Sequence, residues 1–365
     1  MAAPLNLNDR ARLEALGWTA ALDAAWAAQP DGLVPGRVSL EHNHVYRVLA
    51  ADTEWLAETA GKIKFEAEGR HELPAVGDWV VVRRRADEGR ASIVHVLPRR
   101  SCFSRKAAGG VTDEQVVAAN VDVVFLVMAL DGDLSPRRLE RYLLLAQDSG
   151  AASVVLLTKP DLCADLPASV AEVAAVSGPV PVHVLNPRTG DGMDAIRTYV
   201  THGRTCALLG SSGVGKSTIV NRLVGAVVQR TRAVREADSK GRHTTIHREL
   251  VRVPGGGLLL DTPGMRELQL WDVGGAVEQA FEDVERHAES CRFTDCRHRD
   301  EPRCGVKTAV AEGVLPAARL ASYLALQDEL SHLARQQDER AKIVEKRRGR
   351  IGAKALRQSV RLKGR

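Results

Sequence analysis

The sequence predicts an α/β protein in three parts, and three observations lead to this prediction. Short β-strand patterns of regular spacing fill residues 36–100, apolar runs alternate with helical segments from residue 120, and three cysteines and a histidine crowd into residues 291–304. Regularly spaced short strands favour a small closed barrel of the OB type. Alternating strands and helices favour a mostly parallel sheet covered on both faces. The third part is a helical segment that carries the Cys/His cluster.

Length and composition agree with several packed domains. A chain of 365 residues is long enough for two or three domains, and a hydrophobic content of 44% is ample for their cores. The longest apolar run, residues 121–130, is too short to cross a membrane and suits a buried strand. The N-terminus has no apolar secretory segment. We therefore expect a cytoplasmic protein with no membrane partner, and we expect a monomer.

The changes of pattern predict five segments in chain order. They are a helical extension, an OB-fold barrel, an α/β domain, a helical metal-binding domain and a basic tail. Within the barrel no helix is expected, and residues 99–110 read as a basic linker that ends in glycine. The predicted boundaries are 1–35, 36–100, 101–275, 276–335 and 336–365.

A phosphate-binding loop follows the strand-like TCALL. The segment GSSGVGKS matches the eight-residue P-loop pattern, and a helical pattern opens at its lysine. Backbone N–H groups and the helix N-terminus would hold phosphate oxygens. Lys216 would bridge the β- and γ-phosphates during catalysis, and Ser217 would ligate Mg²⁺. The residues expected to bind nucleotide here are Gly210, Ser211, Ser212, Gly213, Val214, Gly215, Lys216, Ser217 and Thr218.

Two candidate switch segments follow the loop. In GGLLLDTPGM, Asp261 ends an apolar strand and can hold Mg²⁺ through water, while the Gly264 N–H can meet the γ-phosphate. In GRHTT, Thr244 and Thr245 are both candidates for a Mg²⁺ ligand that engages only when the γ-phosphate is present. Spacing does not choose between them, and we favour Thr245.

The segment LTKPDL has the pattern of a guanine-binding motif. The Asp161 carboxylate can accept hydrogen bonds from guanine N1–H and N2–H₂, a donor pair that adenine lacks. The Lys159 stem can lie across the base, and Thr158 ends the strand that leads into the motif. In open α/β sheets ligands gather at the C-terminal ends of strands.

This motif precedes the P-loop by about fifty residues, whereas an ordinary GTP-binding domain has the reverse order. A nucleotide site is assembled from strand ends, whose positions are set by the sheet rather than by chain order. Because the termini of compact domains often lie close together, a domain can be joined there and reopened elsewhere. The sequence therefore predicts a circularly permuted P-loop GTPase domain.

That order resembles the circularly permuted GTPases, and within them the ribosome biogenesis GTPases that depend on the small subunit. The resemblance covers the barrel, the permuted domain with GSSGVGKST, GRHTT and DTPG, and the C-terminal zinc motif. The family's guanine motif begins with Asn where this chain has Thr158. Its base-capping loop reads Ser-Ala where this chain has Asn186-Pro187, so the contact to the guanine oxygen would come from Asn186, a neighbour or water. Met265 stands where many GTPases carry a water-orienting Gln, and the resemblance offers His243 of switch I as the catalytic replacement.

The Cys/His cluster predicts one structural Zn²⁺ per chain. Three thiolates and one imidazole suit tetrahedral zinc, and a full ligand shell indicates a structural role. His287 is a nearby alternative ligand, and three reduced cysteines with a surface histidine are the alternative to a metal site. The predicted ligands are Cys291, Cys296, His298 and Cys304.

The charge distribution predicts a polyanionic partner. Residues 335–365 carry twelve Lys or Arg against three Asp or Glu, a local charge of +9 in a chain of net charge +5. Tyr46 and Trp55 on barrel strands could stack bases or could belong to the core. A tail of this kind could fold on contact with phosphate.

The resemblance implies a Mg²⁺-dependent hydrolase that converts GTP to GDP and phosphate. It further implies binding to the small ribosomal subunit and its rRNA during late maturation, with hydrolysis stimulated by that particle. Two alternatives stay open. One is an RNA-binding assembly factor that uses nucleotide as a structural ligand with incidental turnover, and the other is an ATP-using kinase or ATPase.

Overall fold

The structure, a computed structural model, describes residues 4–85, 89–106, 114–132, 134–225, 248–261, 281–328, 330–331 and 335. The chain divides into two compact units. The first comprises Met1–Arg105 and Glu114–Gln269, and the second comprises Lys106–Asp113 and Leu270–Arg365. The barrel and the α/β region share the first unit, and the Cys/His cluster lies in the second. The finer domain boundaries given above stay predictions.

The first unit opens with two short helices and a β-barrel. In α1, the Asn6 side chain accepts a hydrogen bond from the Asp9 N–H and so caps the helix. The barrel strands pair in the order β1-β2-β3-β5-β4, and β4 pairs back onto β1. The β3–β5 pair is parallel. This closed order is an OB-type barrel, as predicted. The elements are α1 (Leu7–Glu14), α2 (Ala20–Ala27), β1 (Val34–His42), β2 (Val45–Ala50), β3 (Glu54–Thr59), β4 (Trp79–Arg85) and β5 (Arg90–Val96).

A two-residue turn separates β1 from β2. Asn43 and His44 have φ angles of 49° and 64°. Positive φ at both central residues matches the right-handed twist of a hairpin. The barrel core is apolar and includes Val38, Val48 and Ile93, each fully buried.

One expectation for the barrel is wrong. A short helix, α3 (Gly61–Glu66), and a 3₁₀ turn at Arg70–Glu72 connect β3 to β4. None of the six residues of α3 is buried. The helix therefore leaves no apolar periodicity in the sequence from which it could be recognised.

The described part of the segment 99–110, residues 99–106, also contains regular structure that a linker would lack. Cys102–Lys106 forms β6, which pairs with β7 (Glu114–Ala119) in a two-stranded sheet. Phe103 is buried, with 2% of its surface exposed. Burial of this side chain explains why a basic stretch adopts a strand.

The α/β region has the alternating pattern that the sequence predicts. Its parallel strands lie in the order β10-β9-β8-β11-β13. All seven residues of β8 are buried, as expected for a central strand of a sheet covered on both faces. The elements are β8 (Val123–Ala129), α4 (Pro136–Ser149), β9 (Ala152–Thr158), a 3₁₀ turn (Pro160–Leu162), α5 (Leu166–Ser177), β10 (Val182–Leu185), α6 (Met193–Arg197), β11 (Thr205–Leu209), α7 (Lys216–Val224), β12 (Arg248–Arg252) and β13 (Leu258–Asp261).

Strand β12, which the sequence analysis did not identify, joins the barrel to this sheet. It runs antiparallel to β13 on one side and to β1 of the barrel on the other. Leu40 of β1 faces Glu249 of β12, and Arg47 of β2 pairs with the Glu249 carboxylate at 3.1 Å. Within the described ranges, eleven strands thus form one continuous sheet.

A buried arginine links the parts of this unit. Arg37 of β1 is fully buried, and its guanidinium donates to the carbonyl oxygens of Leu16, Gly77 and Asn120. These acceptors belong to the N-terminal extension, the barrel and the turn before β8. Burial lowers the pKa of Arg37 to about 10, which still leaves it charged at neutral pH.

The second unit is helical where it is described. Its helices are Glu282–Ala288 and Gly305–Ala311, and residues 317–328 are also helical. Arg319 donates two hydrogen bonds to Asp283, at 2.9 and 3.0 Å, and lies over the Phe281 ring at 4.1 Å. Among the helices of the described residues, none has the length and apolar character needed to cross a membrane.

Candidate functional site

The phosphate loop connects the C-terminal end of β11 to the N-terminus of α7. Gly213 and Gly215 have φ angles of 84° and 101°, which side chains rarely adopt. A Cβ at Gly210 would lie 2.4 Å from the Val127 carbonyl oxygen of β8. The three glycines of the motif are therefore needed for the path of the backbone. A glycine-rich loop that leads into a helix N-terminus is the kind of backbone whose N–H groups can bind phosphate.

Lys216 already lies over this loop. Its ammonium donates hydrogen bonds to the carbonyl oxygens of Gly210 and Ser211, each at 2.6 Å. Phosphate oxygens would compete for the same donors. Ser217 and Thr218 follow in the first turn of α7 and are half-buried, while Ser212 and Gly213 are exposed at the loop surface.

Thr158 joins the base-reading motif to the phosphate loop. It is the last residue of β9 and is fully buried. Its hydroxyl lies 2.6 Å from the Val214 carbonyl oxygen and 3.2 Å from that of Met128, and it donates its proton to one of them. The two motifs, 56 residues apart in the chain, are thus in direct contact. This is the convergence that a permuted nucleotide domain requires.

The remaining residues of the base motif follow directly. Lys159 has a left-handed backbone and forms an ion pair with Asp131, which follows β8. The exposed Asp161 carboxylate accepts a hydrogen bond of 3.1 Å from the Asn186 amide. The Asn186 amide oxygen accepts in turn from the Arg188 N–H at 3.0 Å. Asn186 therefore orients the carboxylate, which sequence reasoning did not foresee.

Sequence reasoning missed other residues at this edge of the sheet. Asp131 carries a signal, since it directly follows a buried strand and side chains there gather at ligand sites. Arg138 of α4 donates to the Ser211 hydroxyl, and Arg222 of α7 donates to the Thr189 carbonyl oxygen at 2.6 Å. Neither arginine belongs to a sequence motif that would reveal it.

The switch residues lie outside the described part of the chain. His243, Thr244, Thr245, Gly264 and Met265 are in this group, so their roles stay predictions. The backbone of Asp261 is described at the end of β13, opposite Glu249 of β12. The sequence places Asp261 at the end of an apolar strand, and the structure shows that this strand pairs in parallel with β11.

The predicted metal ligands are brought together. One ligand atom from each of the four residues lies within 4.8 Å of all the others. The Cys291 sulfur is 3.8 Å from that of Cys304 and 3.5 Å from His298 Nδ1, and His298 Nδ1 is 3.3 Å from the Cys304 sulfur. Such separations suit four ligands around one tetrahedral ion. His287, the alternative ligand, is outside this cluster of described residues.

The surroundings of the cluster shift the pKa values of its ligands in different directions. Burial lowers the pKa of His298, which keeps its imidazole neutral. Although burial acts in the opposite direction, hydrogen bonds from the Val306 and Gly305 N–H groups lower the pKa of the Cys291 thiol. Burial raises the pKa of Cys296 to about 11, so a metal ion that binds this sulfur would displace its proton into solvent. The cluster is compatible with zinc.

The two barrel aromatics are less accessible than the base-stacking hypothesis requires. Tyr46 is 2% exposed within the barrel core, so it offers no face for a base and its stacking role is wrong. Burial raises the pKa of its hydroxyl to about 12. Trp55 is half-buried against the same core, and the Arg84 guanidinium lies over its ring at 5.4 Å.

A P-loop at the end of one strand, touched by a guanine motif that comes earlier in the chain, defines a circularly permuted GTPase. Residues 96–271 match the model of the RsgA GTPase family. Solved structures of similar fold support the same assignment. YjeQ from Thermotoga maritima is 27% identical, with a TM-score of 0.59 over 82% of this chain and 98% of that one. YloQ, described as a circularly permuted GTPase, shares the fold at a TM-score of 0.56 and 23% identity, over 82% of this chain and 96% of that one.

Curated relatives extend the match to almost the full length. The small ribosomal subunit biogenesis GTPase RsgA of Opitutus terrae is 47% identical over 89% of this chain and 92% of its own. The protein of the same name from Methanosarcina acetivorans is 42% identical over 92% of this chain and 89% of its own. The chain belongs to the RsgA GTPase family, and it is a GTP-hydrolysing enzyme.

Proposed function

We propose that this GTPase acts on the small ribosomal subunit in its late maturation, and that the subunit stimulates hydrolysis. The contact between Thr158 and Val214, at 2.6 Å, carries the nucleotide part of the proposal, since it joins base and phosphate recognition in one site. The names of the relatives, small ribosomal subunit biogenesis GTPases, support the partner. The basic charge of residues 335–365 supports contact with rRNA.

Base recognition follows from the geometry around Asp161. Its carboxylate, held by Asn186, accepts from the guanine N1–H and N2–H₂ groups. The Lys159 stem covers the base while its ammonium stays on Asp131. An adenine would leave the carboxylate without donors, so GTP and GDP are selected over ATP.

Phosphate recognition uses the loop N–H groups and Lys216. In the nucleotide complex the Lys216 ammonium exchanges the carbonyls of Gly210 and Ser211 for β- and γ-phosphate oxygens. Mg²⁺, when bound, neutralises the charge that develops on the phosphates. Ser217, Thr245 and Asp261 would hold this ion. The glycine-rich phosphate loop suits the phosphates of the nucleotide that it must bind.

Hydrolysis needs an oriented water molecule. His243 would position the water, and the Gly264 N–H would meet the γ-phosphate. Met265 offers no hydrogen bond for this purpose. Intrinsic hydrolysis is therefore slow, and a partner that orders the switch accelerates it.

One Zn²⁺ at the Cys/His cluster would stabilise the second unit. Four protein ligands leave no open position, so the role is structural. The barrel and the basic tail would contact rRNA, and the chain would work in the cytoplasm as a monomer. Cytoplasmic action follows from the proposed ribosomal partner.

The test is GTP hydrolysis by the full chain with purified small subunits over a range of salt concentrations. Strong stimulation that falls steeply as salt rises is expected, because phosphate contacts release counterions. Large subunits are the matched control and should stimulate little. Absence of stimulation at low salt would favour the alternative, an RNA-binding factor with incidental turnover.

A further inference from the structure

The first turn of α4 lies against the phosphate loop. This helix follows β8, which is parallel to β11 and pairs Leu126 with Leu209 at the edge where the loop begins. Ser135 caps the helix, its hydroxyl accepting from the Arg138 N–H at 3.4 Å, and a proline occupies the first turn. Arg138 is half-buried, whereas its neighbour Arg137 is exposed.

Arg138 and Lys216 meet on one residue of the loop. The Arg138 guanidinium donates to the Ser211 hydroxyl. The Lys216 ammonium donates to the Ser211 carbonyl oxygen at 2.6 Å. The position of Ser211 therefore depends on a helix outside the P-loop motif, and the path of the loop beneath Lys216 depends on Ser211.

Arginine suits this position for two reasons. Its guanidinium is a rigid fork that stays charged, so it fixes direction as well as distance. It also adds positive charge beside a site for a highly anionic ligand. A small displacement of a group that contacts the reacting phosphate can reduce a rate strongly.

We propose that Arg138 is a positioning residue for GTP hydrolysis, which acts through Ser211 to hold the phosphate loop in its reactive conformation. The positioning is specific to the transition state, where the γ-phosphate oxygens must meet loop N–H groups and Lys216 together. Loss of Arg138 should therefore lower kcat more than it raises KM.

The experiment measures hydrolysis by the full chain without ribosomes, over a range of GTP concentrations that gives both kcat and KM, for R138A, S211A and the double variant. Each single variant should lower kcat by about tenfold or more. The double variant should be no slower than R138A, because both changes remove the same contact. R138K should recover part of the rate, since it keeps one charged donor but not the fork. R137A, from the same turn, is the matched control and should match wild type.

Thermal melting separates positioning from folding. The Tm of S211A should stay at the wild-type value, because it removes a single hydroxyl. If R138A fails to fold, the kcat of S211A tests the proposal. A wild-type kcat in S211A would overturn it. Effects of R138A and S211A that multiply in the double variant would also overturn it, because the two residues would then act independently.

Discussion

At the scale of single residues, Thr158 differs from the residue that the resemblance places there and contacts the phosphate loop directly. The resemblance places Asn at this position, and the buried Thr hydroxyl donates to the phosphate loop or to β8 within 2.6 to 3.2 Å. A β-branched residue suits the end of a strand. Thr158 therefore connects the two motifs, and in the proposed function base recognition depends on Asp161.

Replacing Thr158 with Val should weaken GTP and GDP binding together by roughly tenfold, because the isosteric change leaves a buried carbonyl without its donor. The preference for guanine over adenine should stay as it is. Equilibrium binding of fluorescent GTP, GDP and ATP analogues measures both quantities. Thr198→Val is the control, since the Thr198 hydroxyl bonds locally at an exposed site. Loss of guanine preference with normal GTP affinity would contradict the assignment.

Replacing Asp161 with Ala should abolish most of the discrimination between GTP and ATP, by a factor of about 100 or more. Asn186→Ala should reduce it less, because the carboxylate remains but loses its 3.1 Å hydrogen bond. Competition between ATP and GTP for binding measures the ratio. Asp194→Ala removes a fully exposed carboxylate and should have no effect. Equal discrimination in wild type and Asp161→Ala would refute the guanine site.

At the scale of elements, the Cys/His segment combines an unusual backbone with four side chains that are close enough together to bind one metal ion. Its loop holds His298 and Arg303 at a φ of 57°, which non-glycine residues rarely adopt. The Gly305 N–H donates to the Cys291 sulfur at 3.3 Å, a contact that supports a metal-bound thiolate. A metal that binds all four ligands would hold this strained loop closed.

Removing zinc with a strong chelator should lower the Tm of the full chain and release about one equivalent of metal. The affinity for zinc should fall as pH decreases, because protons compete for the thiolates and the imidazole. Metal analysis and circular dichroism at several pH values provide the test. Cys296→Ser should mimic the effect of the chelator, while Cys163→Ser, far from the cluster in sequence, should not. A chain that contains no zinc when purified and melts unchanged would contradict the metal site.

At the scale of the whole first unit, one sheet continues from the barrel into the nucleotide domain. Strand β12, which lies between the two switch segments in the chain, pairs with β1 of the barrel. Arg37 adds a second connection through three buried carbonyl oxygens. The barrel and the nucleotide domain should therefore unfold together.

Replacing Arg37 with Met should destabilise this unit by about 3 kcal/mol, because several buried acceptors lose their donor. Arg47→Met removes a partly exposed ion pair and should cost less than about 1 kcal/mol. Urea unfolding followed by circular dichroism compares the two variants. A similar loss of unfolding free energy in both variants would show that the buried arginine does not hold the unit together.

The sequence alone predicted those parts of the site whose residues lie close together in the chain. The P-loop needs glycines at fixed spacing and a helix N-terminus, and the four candidate metal ligands lie within fourteen residues, 291–304. Strand patterns located β8, β9, β11 and β13, because a buried strand is apolar wherever it lies. The short helix α3 was missed because none of its residues is fully buried and only Ile63 packs against the barrel core.

The amino-acid sequence by itself determined the class of fold and predicted the phosphate loop, the base motif and the candidate metal ligands, since each prediction follows from neighbouring residues. Only the tertiary structure decided that Thr158 contacts Val214, that Asn186 holds Asp161, that Arg138 reaches Ser211 and that β12 joins the barrel. These contacts join residues far apart in the chain. Their distances depend on strand order and register, which hydrophobic periodicity does not encode.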